Sequence, residues 1–206
     1  MAPTLRSVTP DDIDALYAIS LATADGGNSA SHLYQDPHMV GHIYSAPYAT
    51  LMPELCFVAE DDVGVAGYVC GVLDTRSFER QLEHDWWPPL RKRYAEPSGK
   101  YKTWTVHQRR CQMIHYPPST PEKVVNAYPA HLHMNLLPRL QRCGIGTALL
   151  NMWITEAQVR GGSAAHIASG PSNPNGMAFW RARGFVPVHE SPNPGASKTI
   201  WHGRNF

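Results

Sequence analysis

The chain has 206 residues and a mass of 22.9 kDa, for which a single domain with a full hydrophobic core is the expected organisation. Its 18 basic and 17 acidic residues give a formal net charge of +1, which excludes a global field that favours nucleic acid or an acidic membrane as a partner. Apolar runs too short for a membrane span and four cysteines without CxxC spacing favour a cytoplasmic protein with reduced thiols.

The first third of the chain predicts a strand, two helices and a β-hairpin. Proline and carboxylates in Thr9-Pro10-Asp11-Asp12 are typical of a first helical turn. The β-rich residues on both sides of Asp61-Asp62 favour a hairpin. The expected elements are a strand at Leu5–Val8, a helix to about Leu21, a loop at Ala22–Ser31, a helix at Asp36–Ser45, and strands at Cys56–Glu60 and Val63–Leu73.

An unusual segment, about Thr75–Ala127, follows the hairpin. Within it, Glu79–Tyr94 is expected to be helical up to Pro88-Pro89, and a second break is expected at Pro97-Ser98-Gly99. The tryptophans and tyrosines of this segment suit either anchoring against the sheet or lining a substrate pocket. We therefore expect a helical, aromatic insert between two strands of the sheet.

The most informative stretch is Gln141–Thr147, which lies between the apolar run Ala130–Leu137 and the helical run Ala148–Arg160. A strand is expected at Ala130–Leu136 within that apolar run. Gly144 and Gly146 lack Cβ atoms, so the turn tolerates positive φ and a ligand can approach its main chain closely. The first amides of the following helix have no internal partner and carry partial positive charge. This combination predicts a site for a phosphate or pyrophosphate group.

The segment Asn173–Phe185 predicts a loop, a short amphipathic helix, a glycine C-cap and the start of a strand. Further strands are expected at Ala164–Ala168, Phe185–His189 and Lys198–His202. The order of elements predicts an α/β fold, with a mixed, strongly twisted sheet and helices on both faces.

The pattern Q-x-x-G-x-G-T at Gln141–Thr147, with Asn173, Phe179-Trp180 and Gly184-Phe185 downstream, resembles the GCN5-related N-acetyltransferase (GNAT) superfamily. The insert and the strands around it look like the acetyltransferase-like C-terminal domain of O-GlcNAcase and its free-standing microbial relatives. The resemblance implies one acetyl-CoA-binding domain over residues 1–206. Its sheet would have about six to seven strands, with the insert at about 75–127 between strands 3 and 4.

The resemblance also implies a reaction, in which acetyl-CoA is the cosubstrate and a primary amine of a small molecule or amino sugar accepts the acetyl group. The strand segment Met134–Leu136 would offer a backbone N–H to the thioester oxygen, worth about 3–4 kcal/mol of the barrier. Trp180 stands where the family commonly has a tyrosine that protonates the leaving thiolate, so that general acid is absent. The implied cofactor-binding residues are Leu136, Leu137, Gln141, Arg142, Cys143, Gly144, Ile145, Gly146, Thr147, Asn173 and Trp180.

His131 and His133 are two residues apart, so their side chains share one face of the expected strand. An imidazole suits removal of a proton from an ammonium group through water. We expect His133 to be the general base, with His131 as the alternate. The competing interpretation is that both side chains are structural, and that Asn135 orients the water.

Two other functions stay open on the sequence. The missing tyrosine fits a pseudo-acetyltransferase that binds acetyl-CoA without transfer, which is how the animal O-GlcNAcase domain is regarded. A metal-dependent hydrolase would use His131 and His133, or His107, Cys111 and His115, as ligands. Neither set has a carboxylate partner, so no metal site is expected. The acceptor amine is unidentified, and homodimer assembly is left open; nucleic acid and membrane are not expected partners.

Overall fold

One continuous mixed sheet of seven strands organises the molecule, in a computed structural model that describes residues 2–192 and 198–206. The strands are β1 (Thr4–Ser7), β2 (Cys56–Asp61), β3 (Gly64–Val72), β4 (Ala130–Leu136), β5 (Ala164–Ser169), β6 (Val186–Ser191) and β7 (Thr199–Asn205). Their spatial order is β1-β2-β3-β4-β5-β7-β6, and every pair is antiparallel except β4 with β5. The expected mixed, twisted sheet is confirmed.

Helices cover both faces of this sheet, as predicted. They are α1 (Ile13–Thr23), α2 (Gly41–Tyr44), α3 (Ala46–Leu51), α4 (Thr75–Gln81), α5 (Trp87–Arg93), α6 (Val106–His115), α7 (Glu122–Ala127), α8 (Ile145–Val159) and α9 (Pro174–Ala182). Within residues 2–192 and 198–206, none of the helices combines the length and the apolar character that a membrane crossing requires.

Two hydrophobic clusters lie on opposite sides of the sheet. The first packs α1 to α6 against β3 and includes Leu16, Tyr48 and Ile114. The second packs α8 and α9 against the other face and includes Trp153 and Phe185. Since side chains alternate along a strand, residues of β4 divide between these two environments.

The central feature for function is the way β4 and β5 separate. The parallel ladder between them consists of two residue pairs, Ala130 with Ala165 and His131 with His166. On its other side, β4 stays paired with β3 from His131 to Leu136. The carboxyl-terminal half of β4 therefore has a sheet neighbour on one edge only, and a cleft opens toward β5.

Two predicted helices differ from the structure. The helix expected at Asp36–Ser45 is wrong in its bounds, because helical structure begins at Gly41 and Ser45 (φ −143°, ψ −55°) separates α2 from α3. Pro47 accounts for the break, since it has no N–H to donate to the carbonyl oxygen of Ile43 four residues earlier and its ring would clash with that carbonyl in a continuous helix.

The insert contains α4 to α7, which confirms its helical character. The helix was expected to stop at Pro88-Pro89, but both prolines lie inside α5. A π-helical turn at Leu82–Trp86 precedes them. We attribute this wider turn to the prolines, which cannot donate to carbonyl groups of the preceding turn.

Candidate functional site

The loop before α8 presents main-chain amides to solvent. Gly144 has φ +86° and Arg142 has φ +61°, so two residues of this short loop adopt left-handed conformation. A Cβ atom at Gly144 would meet nothing within 4 Å, which shows open space beside the backbone. α8 begins at Ile145 and is long enough to carry a full helix dipole. The loop has the geometry of an anion site at a helix N-terminus.

Side chains of the loop mostly brace it. Gln141 Nε2 donates to the carbonyl oxygen of Leu136 at 2.8 Å, which ties the loop to the end of β4. Cys143 Sγ lies 3.0 Å from the carbonyl oxygen of Leu140. Because both side chains contact carbonyl oxygens of the protein, what Gln141 and Cys143 mainly offer a ligand is their main chain.

Gly146 marks the place where the loop, β4 and α9 converge. A Cβ atom there would lie 3.3 Å from Phe179 Cε2 and 3.7 Å from Leu136 Cδ1. The missing side chain therefore lets the first turn of α8 approach these two residues closely. Leu136 and Leu137 are half-buried where the strand ends.

The free edge of β4 carries unpaired N–H groups. Leu137 N donates to the carbonyl oxygen of Ala66 at 2.7 Å, so the odd-numbered residues of β4 direct their N–H groups toward β3. Hydrogen-bonded and non-bonded pairs alternate in an antiparallel ladder, so Met134 and Leu136 direct theirs away from β3. That direction is the cleft where β5 has diverged.

A chain of hydrogen bonds joins the two β4 histidines to residues far away in sequence. Thr75 Oγ1 lies 2.6 Å from the Pro129 carbonyl oxygen and 2.8 Å from His131 Nδ1. His131 Nε2 lies 2.8 Å from the hydroxyl of Tyr48. The same hydroxyl lies 3.1 Å from His133 Nε2. Both histidines thus share Tyr48, which is buried.

The protons of this chain have one arrangement that satisfies every contact. A carbonyl oxygen only accepts, so Thr75 donates to Pro129 and accepts from His131 Nδ1. His131 Nε2 must then accept from the Tyr48 hydroxyl, and the Tyr48 oxygen accepts from His133 Nε2. The remaining nitrogen, His133 Nδ1, carries a lone pair. It has no hydrogen-bond partner in the described part of the chain and is not buried.

Burial keeps both imidazoles neutral. It lowers the pKa of His131 well below its usual value, with smaller effects of His166 and His133. It also lowers the pKa of His133 from 6.5 to about 4, with a smaller effect of His166. The lone pair on His133 Nδ1 is therefore present at neutral pH, whereas both nitrogens of His131 are already engaged. Of the two histidines, His133 is the one placed to accept a proton.

The residues of the motif Asn173–Phe185 lie in different environments. Asn173 Oδ1 accepts from Gly176 N at 2.9 Å and caps α9. Trp180 is only 9% exposed and packs against Phe185, with ring centroids 5.1 Å apart. Phe179 is the half-buried neighbour that reaches Gly146. The structure thus brings Phe179 to Gly146 in the first turn of α8 and puts most of Trp180 in the core.

Two of the residues considered as metal ligands, Cys111 and His115, are engaged elsewhere. His115 Nε2 contacts the carbonyl oxygen of Tyr94 at 2.8 Å, and Cys111 is buried in the first hydrophobic cluster. Within residues 2–192 and 198–206, no group of three or more His, Cys, Asp or Glu side chains is arranged to hold a metal ion.

Sequence reasoning missed Tyr48 and Thr75, and it missed Tyr44, whose ring centroid lies 5.4 Å from that of His133. Tyr48 precedes His131 by 83 residues and Thr75 precedes it by 56. No local pattern marks either residue, since both contacts depend on how α3 and α4 pack over the sheet.

Two surface clefts of about 400 and 330 Å³ lie elsewhere, on α1 and beside α6, and neither is lined by β4.

Comparisons with known proteins agree with this architecture. The solved structure of SsHAT is 35% identical, covers 100% of this chain and 98% of its own, and superposes with a TM-score of 0.87. A GNAT superfamily phosphinothricin acetyltransferase from Sinorhizobium meliloti, solved with AcCoA, is 16% identical, with a TM-score of 0.56 and coverage of 100% and 89%. Because its sequence identity is low, this second comparison shows a shared fold only.

Among curated proteins, Protein O-GlcNAcase of Rattus norvegicus and of Mus musculus are each 20% identical over 185 residues, or 90% of this chain. The chain spans about a fifth of the length of these curated relatives, since the match covers 20% of each. No family model matches the chain.

Proposed function

The chain belongs to the GCN5-related N-acetyltransferase superfamily, and on that premise we propose that it is an acetyl-CoA-dependent N-acetyltransferase acting on a primary amine of a small molecule or amino sugar. The observation that carries the proposal is the opening between β4 and β5, placed directly before the loop at Arg142 and Gly144. This opening gives an extended thioester a path, and the loop gives a pyrophosphate a cradle of amides.

The loop residues fit the phosphate end of acetyl-CoA. The segment from Leu137 to Thr147 contains no acidic residue. Main-chain N–H groups from Arg142 to Thr147 would bind the pyrophosphate, with the Thr147 hydroxyl as a further donor. Leu136, Leu137 and Phe179 would line the apolar path of the pantetheine arm, and the Asn173 amide would contact it beside the α9 cap.

The N–H of Met134 would stabilise the thioester oxygen as negative charge develops on it. It points into the β4–β5 opening, where no strand competes for it. A fixed main-chain donor of this kind is worth about 3–4 kcal/mol in comparable sites.

The acceptor amine attacks the thioester carbonyl carbon, so a C–N bond forms, the C–S bond breaks, and the thiolate of coenzyme A leaves. His133 Nδ1 takes the proton that the nitrogen must lose, directly or through water, and His131 with Tyr48 holds His133 in the required tautomer. No tyrosine is present in α9, so the thiolate takes its proton from water.

A pseudo-acetyltransferase that binds acetyl-CoA without transfer is the second candidate. It is favoured by the same absence of a tyrosine in α9, where Trp180 is largely in the core. The two candidates agree on cofactor binding and differ only in whether free thiol is produced.

Thermal unfolding with and without acetyl-CoA tests the cofactor site. Ligand at 100 times its dissociation constant adds about 2.7 kcal/mol of stability. Gly144→Asp should abolish this gain, because the new carboxylate repels phosphate. Gly99→Asp is a matched control, since Gly99 has the same φ of +86° and open space around its Cβ position. No stabilisation of the unmutated protein at millimolar acetyl-CoA would overturn the proposal.

Thiol release with a panel of amines then separates transfer from binding. Stabilisation without thiol release for any amine would favour the pseudo-acetyltransferase.

We also propose that residues 1–206 act as one cofactor-binding domain in the cytoplasm. The continuous seven-stranded sheet supports the first part. The second is favoured by the scattered spacing of the four cysteines, which fits reduced thiols.

A further inference from the structure

Arg110 on α6 is a shielded arginine with no acidic partner. Its Nη1 donates to the hydroxyl of Tyr44 at 2.8 Å, and its Nε lies 3.3 Å from the hydroxyl of Tyr34. None of the ion pairs among the described residues involves Arg110. In contrast, the similarly shielded Arg76 and Arg91 each bind a glutamate.

The tyrosine hydroxyls orient the guanidinium but do not neutralise it. One of its three nitrogens, Nη2, has no acceptor in the described part of the chain and is not buried. Nη1 also lies 2.9 Å from Met113 Sδ, so Nη2 is the nitrogen left for a ligand. A partly desolvated cation without a counter-ion is costly to maintain, and a free guanidinium nitrogen can donate to an anion. The protein therefore offers one unpaired positive charge here.

This charge lies on the acceptor side of the sheet, next to the candidate base. The ring of Tyr44 stands between the two groups. Its centroid is 5.4 Å from that of His133 and 5.2 Å from the guanidinium carbon of Arg110. Tyr34 also lines the cleft of about 330 Å³ beside α6, whose lining includes His32 and His107 and no acidic residue.

We propose that Arg110 binds a carboxylate of the acetyl acceptor, so that the acceptor is an amino carboxylate and not a neutral amine or amino sugar. This inference rests on the proposed function and narrows its substrate class. The amine would lie at His133 and the carboxylate at Arg110, with the chain between them passing Tyr44. A single free guanidinium nitrogen, Nη2, matches one carboxylate, and charge-assisted hydrogen bonds to carboxylates are among the stronger polar contacts.

The test uses pairs of acceptors that differ only in the carboxylate. Glycine, β-alanine, γ-aminobutyrate and δ-aminovalerate are each compared with their primary amides in a thiol-release assay, which also measures the best spacing of amine and carboxylate. We expect the best carboxylate to exceed its amide by about 10- to 100-fold in kcat/KM, mainly through KM. Equal rates at every chain length, or a preference for the amides, would overturn the proposal.

Variants assign the preference to one side chain. Arg110→Met should bring the ratio of carboxylate to amide close to one, and Arg110→Lys should retain part of it because the charge remains. Arg93→Met is the matched control, since Arg93 also lies over a tyrosine ring, at 5.3 Å from Tyr94, but is paired with Asp36. A preference that survives in Arg110→Met would also overturn the proposal.

A direct binding measurement keeps this test separate from the fate of the proposed function. Calorimetric titration of the same carboxylates into protein saturated with coenzyme A needs no transfer. Carboxylate binding that Arg110→Met removes, without any thiol release, would support the anion site while the transfer reaction fails. Stabilisation by acetyl-CoA with no carboxylate binding and no carboxylate preference would contradict the proposed anion site but would still support the cofactor site.

Discussion

Replacing His42 on α2 should weaken the dependence of folding stability on pH. His42 is 6% exposed, its Nδ1 lies 2.8 Å from the hydroxyl of Tyr17, and its Nε2 is buried without a partner in the described residues. The pKa of His42 is lowered from 6.5 to about 4, mainly by burial and less by the nearby charge of Arg93, against an opposing effect of Asp36.

The sign follows from which state binds the proton. Between pH 6.5 and 4 the unfolded chain protonates this imidazole and the folded protein does not, so folding loses stability as the pH falls through that window. Each pH unit within it costs about 1.4 kcal/mol. The whole loss is on the order of 3 kcal/mol, of which about 2 kcal/mol is reached by pH 5.

Urea unfolding followed by tryptophan fluorescence at pH 7.5 and at pH 5 measures this effect. His42→Asn should be less stable than the parent at pH 7.5, because the ring is lost, but its loss between the two pH values should be smaller by about 2 kcal/mol. His84→Asn serves as control, since the side chain of His84 is 87% exposed. An identical pH dependence in His42→Asn and the parent would refute the reasoning.

Three further substitutions test other parts of the structure. Gly71→Ala should destabilise the protein by about 2 kcal/mol or more in urea unfolding, because the added Cβ would lie 2.4 Å from a carbonyl oxygen of β4 and 2.8 Å from Trp153 Nε1. Asn173→Ala should cost about 1 kcal/mol of stability through the lost α9 cap, measured in the same way, and should also raise the Kd for acetyl-CoA. His133→Gln should lower kcat for thiol release by about 10²- to 10⁴-fold while the stabilisation by acetyl-CoA is retained; unchanged kcat would remove His133 from the mechanism.

Elements that depend on local signals could be predicted from the sequence. The strand Ala130–Leu136 has the same bounds in the structure as in the prediction, and α8 starts within the expected turn. Such boundaries are set by an apolar run, by glycines that permit positive φ, and by a helix that follows at once. The cofactor roles assigned to Gln141–Thr147 remain predictions, but the strand, loop and helix that they require are confirmed.

The orientation of α9 could not be predicted from the sequence. Sequence comparison put Trp180 at the position of the family's tyrosine, and the residue type alone favoured contact with the cofactor. The rotation of α9 about its axis decides which aromatic faces the groove, and that rotation is fixed by packing of Trp180 on Phe185. Phe179 then lies against Gly146. The residues adjacent to either of them in sequence give no sign of this contact.

The acceptor side could not be predicted for a more general reason. Tyr48 and Thr75 reach the β4 histidines, and Arg110 reaches Tyr44 beside them, only after α3, α4 and α6 have folded over the sheet. Each is an ordinary helical residue in its own segment. His133 could be chosen as a candidate base because H-x-H on a strand is a local pattern, and its role as the base stays a prediction. Its tautomer could not, because it depends on the carbonyl oxygen of Pro129.

The proposed site has two halves, one for the cofactor and one for the acceptor, and they are built from different kinds of groups. The cofactor half consists mainly of backbone amides and small residues, so its geometry constrains φ and tolerates few substitutions. Around the β4 histidines, the proposed acceptor half consists of side chains from α2, α3 and the insert, which can change without disturbing the β4–β5 opening or the Gly144 loop. If Arg110 binds a carboxylate as proposed, acceptor choice in relatives that share the opening should depend on the residue at this one position of α6. Transfer of arginine to that position in a relative that lacks it should therefore raise its preference for amino carboxylates over their amides, whereas substitutions in the loop should change acetyl-CoA affinity for every acceptor alike.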